Sequence, residues 1–192
     1  MVQSHAMLDQ AILATEKQRR LKRSEYQELI RLGAFEDERV ELLHGVIVEM
    51  TSGDPPHASP IQELTELLVP KLVGRATVRV QLDYLAAFES EPVPDIAIVP
   101  LGKYRDAHPD HAHCIIEVAY SSMRRDRLIK APLYAASKVA EYWIADVSER
   151  CFIVFRDSDG AVYRSEALYR TGQSIALEAF PDVAIAVSDV LG

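Results

Sequence analysis

The sequence predicts a mixed α/β (α+β) fold, in which helices flank a mixed central β-sheet after an N-terminal helix and a β-hairpin. The predicted elements follow the order helix, hairpin, helix, several strands, helix and further strands. A doubly wound parallel sheet would instead show regular alternation of strands and helices. The run Cys114–Val118 is apolar except for one glutamate, which is typical of a central strand buried on both faces.

The composition is that of a globular protein with a full core. Of the 192 residues, 48% are hydrophobic and 26% are charged, which suits one domain. We expect an N-terminal extension over residues 1–23, partly flexible, and a single domain over residues 24–192. No apolar run is long enough to span a bilayer, and no secretory signal is recognised. Cys114 and Cys151 lie in apolar runs and predict buried reduced thiols, so we expect a cytoplasmic protein.

The net charge of −8 argues against a protein that coats nucleic acid, because such proteins usually carry a basic excess. It leaves room for an enzyme, since bound cations would offset acidic ligands. The basic segment Lys17–Arg23 is interpreted as a solvated helix start or flexible arm in preference to a binding arm. Ser24 then caps a predicted helix, with Gln27 at the capping-box position, and Gly33 ends this helix.

A β-hairpin is predicted next. Two short apolar runs, Val40–Leu43 and Val46–Met50, are joined by His44-Gly45, and glycine readily adopts the positive φ of a tight turn. The turn-rich stretch Thr51–Pro60 follows the hairpin.

Two further helices are predicted from apolar spacing. One runs from Ile61 to Pro70. The other runs from Asp126 to about Ser137, and Pro132 must lie in its first turns or kink it. The remaining apolar runs predict strands, which are Ala76–Leu82, Tyr84–Phe88, Ile96–Val99, Cys114–Tyr120, Val139–Ala145, Cys151–Phe155 and Ala161–Ser165.

Acidic residues interrupt the predicted strands at three places. Glu117 lies inside a buried strand, Asp95 at the head of another, and Glu41 in the hairpin. A buried ionised carboxylate is costly unless it is paired or binds a cation. Each residue also has an explanation without a function. These are a salt bridge to a buried Arg or Lys for Glu117, a turn at the strand start for Asp95, and exposure on the hairpin for Glu41.

The three carboxylates together match the needs of metal-dependent phosphodiester hydrolysis. Mg²⁺ prefers oxygen ligands and usually takes only one or two protein carboxylates. The metal activates water and neutralises charge on the phosphate. Lys130 adds an ammonium that can stabilise the developing negative charge, although a surface ion pair with Asp126, four residues earlier, is its default interpretation.

A zinc site is the competing metal hypothesis. Three histidines and two aspartates lie close together in the sequence, at Asp106, His108, Asp110, His111 and His113. A catalytic zinc site usually has three well-placed protein ligands. This segment is predicted to be a loop around Pro109, and no second ligand pair occurs elsewhere, so zinc is disfavoured.

Several motifs occur in a fixed order from about Ser24 to Asp146. They are Glu41-Leu42-Leu43-His44-Gly45-Val46-Ile47, Met50, His57, Pro94-Asp95, Glu117-Val118, Asp126, Lys130, Tyr134 and Glu141-Tyr142-Trp143-Ile144-Ala145-Asp146. Pro94-Asp95 followed by Glu117 in an apolar strand resembles the PD-(D/E)XK nuclease superfamily. The whole series resembles the bacterial Uma-two group of restriction endonucleases. This resemblance implies a restriction-endonuclease-like fold.

The resemblance also implies roles for individual residues. Asp95 and Glu117 would be the principal metal ligands, and the Val118 carbonyl is a candidate third ligand. Glu41 would complete the acidic cluster. The resemblance makes His57 either a partner of the metal ligands or a helix cap.

Two departures from the family pattern concern the segment after Glu117. The superfamily expects a lysine two positions later, where this chain has Ala119, so Lys130 on the following helix is the predicted substitute. The group commonly has a Ser-Pro-Ser/Thr-like turn, where this chain has Tyr120–Met123. Arginines beside the predicted site would contact phosphates or form a solvated basic turn; they are Arg124, Arg125 and Arg127.

The resemblance implies a Mg²⁺- or Mn²⁺-dependent endonuclease that acts on DNA. A homodimer is expected because two cuts on a duplex favour a symmetric pair, with the strand Cys151–Phe155 as a candidate edge for the interface. The alternative is an inactive, nuclease-like binding or assembly module, which Ala119 and the acidic charge favour. A different metal-dependent phosphoesterase on the same fold is a third hypothesis.

Overall fold

A six-stranded mixed sheet lies at the centre of the structure, a computed structural model that describes residues 16–50 and 53–192. The described strands are β1 (Val40–Leu43), β2 (Val46–Glu49), β3 (Ala76–Val80), β4 (Ile96–Pro100), β5 (Cys114–Ala119), β6 (Glu141–Asp146), β7 (Cys151–Ser158), β8 (Tyr163–Arg170), β9 (Ser174–Ala176) and β10 (Ala184–Ala186). The central sheet has the order β3-β4-β5-β6-β7-β8. Only β5 and β6 run parallel within it, which confirms the predicted mixed sheet.

Helices cover both faces of this sheet. The described helices are α1 (Arg23–Arg31), α2 (Pro55–Leu72), α3 (Met123–Arg125), α4 (Ala131–Ala136) and α5 (Ser188–Leu191), with a π-turn (Asp126–Lys130) between α3 and α4. All six residues of β5 are buried, and its side chains alternate between two layers. Ile116 packs in the layer that contains α2, and Ile115 packs in the layer that contains α4. None of the helices described is long and apolar enough to span a membrane.

The first helix begins earlier than predicted. α1 starts at Arg23, and the Lys22 N–H donates to the Glu25 carboxylate (2.8 Å), so the predicted cap at Ser24 with Gln27 is wrong. The helix end agrees with the sequence, because Gly33 follows α1 with φ of 76°. Most of the predicted extension, residues 1–15, lies outside the described residues.

The predicted hairpin is confirmed. β1 and β2 pair antiparallel, and His44 and Gly45 take φ values of 51° and 75°, as in a two-residue turn of type I′. Leu42 exchanges two backbone hydrogen bonds with Glu91, at 3.2 and 2.8 Å. The hairpin is therefore fixed to the segment that leads into β4.

The second helix also begins earlier than predicted. α2 starts at Pro55 instead of Ile61, because Pro55 and Pro56 occupy the first turn, where an N–H has no helical partner. Of the stretch that was predicted as turns, Thr51 and Ser52 lie outside the described residues.

The third predicted helix is real but contains a π-turn. The regular helix is interrupted at Asp126–Lys130 and resumes at Ala131. Pro132 follows directly; it lacks an N–H and its ring clashes with the carbonyl four residues earlier in a regular helix. A widened turn just before the proline relieves this conflict, and such turns often occur at functional sites.

The predicted strand Tyr84–Phe88 is wrong. This segment makes only an isolated bridge between Ala86 and Ser90, because Phe88 and Glu89 both have positive φ. Gln81 also has a positive φ (49°), and β3 ends before it instead of at Leu82, the predicted last residue of this strand. The predicted runs for β6, β7 and β8 correspond to strands with shifted ends.

The C-terminal part holds elements that the sequence did not predict. β9 pairs with β10, and Ile175, Ile185 and Leu191 join the core layer of α2. Both cysteines are free and buried, as predicted. The predicted dimer edge at Cys151–Phe155 is wrong, because β7 has β6 and β8 on its two sides.

Candidate active site

The sheet brings Asp95 and Glu117 together. Ile96 pairs with Ile116 across the antiparallel strands β4 and β5, so Asp95 falls opposite Glu117 and on the same face. Both residues are buried, with 5% and 4% exposure. The explanation of Asp95 as a solvated turn residue therefore does not apply.

Asp95 is held by three donors. Its Oδ2 accepts the Val118 N–H (2.8 Å) and lies 3.2 Å from His57 Nε2. Its Oδ1 accepts the Gln81 side-chain amide (3.3 Å). Burial alone would raise the pKa of Asp95, but the hydrogen bonds from His57 and Val118 outweigh burial and the pKa is lowered. Asp95 is therefore an ionised, oriented carboxylate.

Glu117 has both of its donors on one oxygen. Lys130 Nζ (3.0 Å) and the Tyr134 hydroxyl (2.7 Å) donate to Oε1. Burial raises the pKa of Glu117 to about 8, against the opposing effect of Lys130. The donors fix the carboxylate, and no described residue donates a hydrogen bond to its second oxygen, Oε2.

Glu41 is completely buried, so the expected exposure on the hairpin is wrong. Its Oε2 lies 3.2 Å from Lys130 Nζ and accepts the Val93 N–H (3.2 Å). Its Oε1 is buried without a hydrogen-bond partner among the described residues; Arg125 Nη1 stands 4.0 Å away. A buried carboxylate oxygen without a donor is unfavourable unless a further group satisfies it.

Lys130 does not form the surface ion pair with Asp126 that its spacing suggested. It is 2% exposed and contacts Glu117 and Glu41 instead. Burial lowers the pKa of Lys130, but these carboxylates overcome burial and the net pKa is raised. Lys130 is thus a permanent ammonium between two acidic side chains.

These residues surround a cavity of about 20 Å³, enough for about one water-sized occupant. Its acidic lining is Glu41, Asp95 and Glu117, with the buried carboxylate of Asp126 nearby. The salt bridge with Lys130 explains the burial of Glu117 by itself. It does not explain why several carboxylates cluster around one buried ammonium, or why an oxygen of Glu41 has no hydrogen bond to any described residue.

The donor set fits a hard divalent cation better than zinc. The candidate ligands are oxygens, and Mg²⁺ keeps several waters beside one or two carboxylates. Among the described residues, no group of three or more His, Cys, Asp or Glu side chains could hold a metal ion by itself. Lys130 and His57 occupy oxygens that such a closed cluster would use, so a cation here needs water or substrate oxygens as further ligands.

The histidines of the zinc hypothesis have separate partners. His108 lies 3.7 Å from Asp83, His111 lies 2.7 Å from Asp110, and His113 packs edge-on against Phe180. The three side chains thus do not face a common position.

The structure separates the three arginines. Arg125 lines the cavity, whereas Arg127 points away and pairs with Glu166 on β8 at 2.7 and 2.9 Å. Arg124 is exposed and makes no hydrogen bond or ion pair with any described residue. His57, in the first turn of α2, contacts Asp95, as a partner of a metal ligand would.

Several residues of the site had no predicted role. Tyr134 and Gln81 hold the two carboxylates, and Asp126 is buried with Ser122 as its hydroxyl donor. The sequence contained a signal for Asp126 and Tyr134, because both lie four residues from Lys130 and such spacing places side chains on one helix face. Nothing in the sequence marks Gln81.

Comparisons with known proteins agree with the predicted resemblance. Residues 23–188 match the model of the Uma2 family, described as "Putative restriction endonuclease". The fold is similar to the crystal structure of a "putative nuclease belonging to DUF820 from Anabaena variabilis ATCC 29413", with a TM-score of 0.69, 13% identity, and coverage of 89% of this chain and 97% of that chain. No curated protein shows a significant match. Because the family model covers most of the chain, this protein belongs to the Uma2 family.

Proposed function

We propose that this protein is a Mg²⁺- or Mn²⁺-dependent endonuclease that hydrolyses phosphodiester bonds in DNA. The observation that carries the proposal is that three buried carboxylates, those of Glu41, Asp95 and Glu117, line one cavity with a single buried ammonium. Arg39 and Arg125 line the cavity from more exposed positions, and Glu41 Oε1 has no hydrogen bond to any described residue. Buried carboxylates are costly unless further groups satisfy them. The restriction-endonuclease family and the nuclease-like fold support the same reaction class.

The residues that would hold the cation are Asp95 and Glu117, with the Val118 carbonyl as a third protein ligand. Glu41 would contribute through bound water. When bound, the cation would lower the pKa of a water molecule and neutralise charge on the phosphate. Asp95 suits this role because it is ionised and fixed by three donors. Glu117 suits it because both of its donors are on Oε1.

Lys130 supplies positive charge at the reacting phosphate. Its raised pKa means that it stays protonated at neutral pH, so it does not act as a general base. A fixed ammonium in a buried site stabilises developing negative charge without reorganisation. Lys130 would also orient Glu117, and His57 would orient Asp95.

We further propose that the protein is cytoplasmic and acts as a homodimer. The two free buried cysteines support a reducing compartment. Cleavage of both strands of a duplex would need two sites, which a symmetric dimer provides. β3 and β8 are the edges of the central sheet and are the surfaces on which such a dimer would be sought.

Cleavage of plasmid, linear and single-stranded DNA with Mg²⁺ or Mn²⁺ tests the proposal. Wild type should cleave at least one substrate, and Asp95→Ala and Glu117→Ala should not, while circular dichroism shows that both variants are folded. Glu149→Gln, at an exposed turn, is the matched control and should cleave normally. Metal binding without cleavage of any nucleic acid would instead support the inactive binding module.

A further inference from the structure

Two open grooves flank the cavity, and their chemistry differs. One is about 350 Å³ in volume and carries the acidic side chains of Glu36, Glu38 and Asp83. The other, which we call the arginine groove, has a volume of about 530 Å³ and is lined by Ser121, Ser122, Arg124, Arg125, Leu128 and Ile129. Both share lining residues with the cavity, so a strand with its phosphate at the mouth of the cavity can extend along either of them.

Charge favours the arginine groove as the path of a phosphate backbone. The first groove has one arginine, Arg39, beside three acidic side chains. The arginine groove has no acidic lining residue; Arg124 makes no ion pair with any described residue, and Arg125 makes only a long one (4.0 Å) with Glu41. Phosphate contacts from arginine position nucleic acids. Ser122 and Arg125 line both the cavity and the arginine groove, so the two spaces adjoin.

The floor of the arginine groove is apolar. The buried side of the π-turn carries Asp126 and Lys130, which leaves Leu128 and Ile129 facing outward at 65% and 40% exposure. A second recess of about 300 Å³, beside the hairpin residues Val46 and Val48, shares the same two side chains. Leu128 and Ile129 thus form a small exposed apolar surface with arginines at its rim.

We propose that the arginine groove binds an unpaired nucleotide of the DNA strand, next to the phosphate that is cleaved. This inference rests on the proposed function and adds a strand preference to it. A base can cover Leu128 and Ile129 with its flat face only when it is neither paired nor stacked. A duplex presents its charged backbone outward, which gains nothing from an apolar floor. The site should therefore prefer single strands, frayed ends or flaps.

The test measures binding separately from cleavage. Fluorescence anisotropy follows a labelled oligothymidylate, alone and annealed to oligodeoxyadenylate, with Ca²⁺ as the cation and a gel to show that the probe stays intact. Wild type should bind the single strand about tenfold or more tightly than the duplex. Leu128→Asp should weaken single-strand binding about tenfold or more, because it removes apolar area that the base would cover and adds a negative charge beside the phosphates. The logarithm of the binding constant falls linearly with the logarithm of the salt concentration, and Arg124→Ala should reduce the magnitude of this slope by about 0.7, the value for one lost phosphate contact.

The matched controls are Leu101→Asp and Arg105→Ala. Leu101 is 63% exposed, and both residues lie outside the arginine groove, so both variants should bind the oligonucleotides as wild type does. Equal affinity for both probes, or unchanged binding by Leu128→Asp, overturns the proposal. So does a dimer that Leu128→Asp splits without loss of oligonucleotide affinity, because the surface would then bind a second copy. If wild type cleaves no nucleic acid but Leu128→Asp loses single-strand binding, the nuclease proposal fails and the groove proposal stands.

Discussion

Lys130 Nζ lies 3.0 Å from Glu117 Oε1, although the two residues are 13 positions apart and belong to different elements. Glu117 and Ala119 share a face of β5, because side chains alternate along a strand. Lys130 contacts Glu117 from the π-turn, as the predicted substitute for a strand lysine at position 119 would. That Lys130 takes over this role stays a prediction.

Removal of the Lys130 charge should damage both activity and stability. Lys130→Met keeps most of the stem but leaves Glu117 and Glu41 without their shared cation. Loss of one partner of a buried pair costs about 3–5 kcal/mol of the free energy of unfolding. Loss of a donor to the reacting group costs about 100-fold or more in cleavage rate.

Urea unfolding and DNA cleavage measure these two effects. Lys103→Met, at an exposed position, is the control and should match wild type. A Lys130→Met protein with wild-type rate and stability would show that the ammonium has neither role.

Tyr134 should act by positioning Glu117. Tyr134→Phe removes the hydroxyl that donates to Oε1 but keeps the ring, which packs against Tyr84 and Tyr142. We expect a loss on the order of 1 kcal/mol in stability. We also expect a reduced kcat with little change in KM, since the ring does not contact DNA. Steady-state cleavage kinetics test this split, with the exposed Tyr120→Phe as control. An effect on KM alone would contradict the positioning role.

The stability of the metal-free protein should fall as pH rises towards 8. Burial raises the pKa of Glu117 from 4.5 to about 8, so the native carboxyl keeps a proton that the unfolded chain has lost over this range. The unfolded state then binds fewer protons, and its relative free energy decreases with pH by up to about 1.4 kcal/mol per unit. Urea unfolding from pH 5 to 8 should show a smaller fall for Glu117→Gln. Identical pH profiles would contradict the raised pKa.

A bound cation should stabilise the folded protein through the same carboxylates. Mn²⁺ at 100 times its dissociation constant adds about 2.7 kcal/mol to the free energy of unfolding. Wild type should therefore melt at a higher temperature with Mn²⁺, and EDTA should reverse the shift. Asp95→Asn should show little shift, whereas the exposed variant Asp189→Asn should behave as wild type does. A full shift in Asp95→Asn would place the metal elsewhere.

Local patterns predicted the parts of the fold that depend on neighbours in sequence. The hairpin follows from His44-Gly45, and β5 follows from its apolar run. The apolar segment Tyr84–Phe88 wrongly predicted a strand, because Phe88 and Glu89 have positive φ, which interrupts an extended strand. β9 and β10 have only three residues each, too few for an alternating pattern. Their pairing depends on packing against α2, which local sequence does not reveal.

The site was predictable in its acidic residues but less so in their partners. Asp95 and Glu117 stood out because charge in an apolar strand is costly. The partner of Lys130 could not be inferred from spacing, since a regular helix would favour Asp126, whereas Lys130 lies in a π-turn and contacts Glu117 and Glu41. Glu41 looked exposed in a hairpin, yet the segment before β4 covers it through the Val93 N–H.

Anomalous diffraction from crystals soaked in Mn²⁺ tests the central claim most directly. We predict a single strong peak between Asp95 and Glu117, about 2 Å from a carboxylate oxygen of each, that Asp95→Asn crystals lack. A peak only at the histidines of residues 108–113, or no peak beside Asp95 and Glu117 at saturating Mn²⁺, would contradict the metal-dependent site.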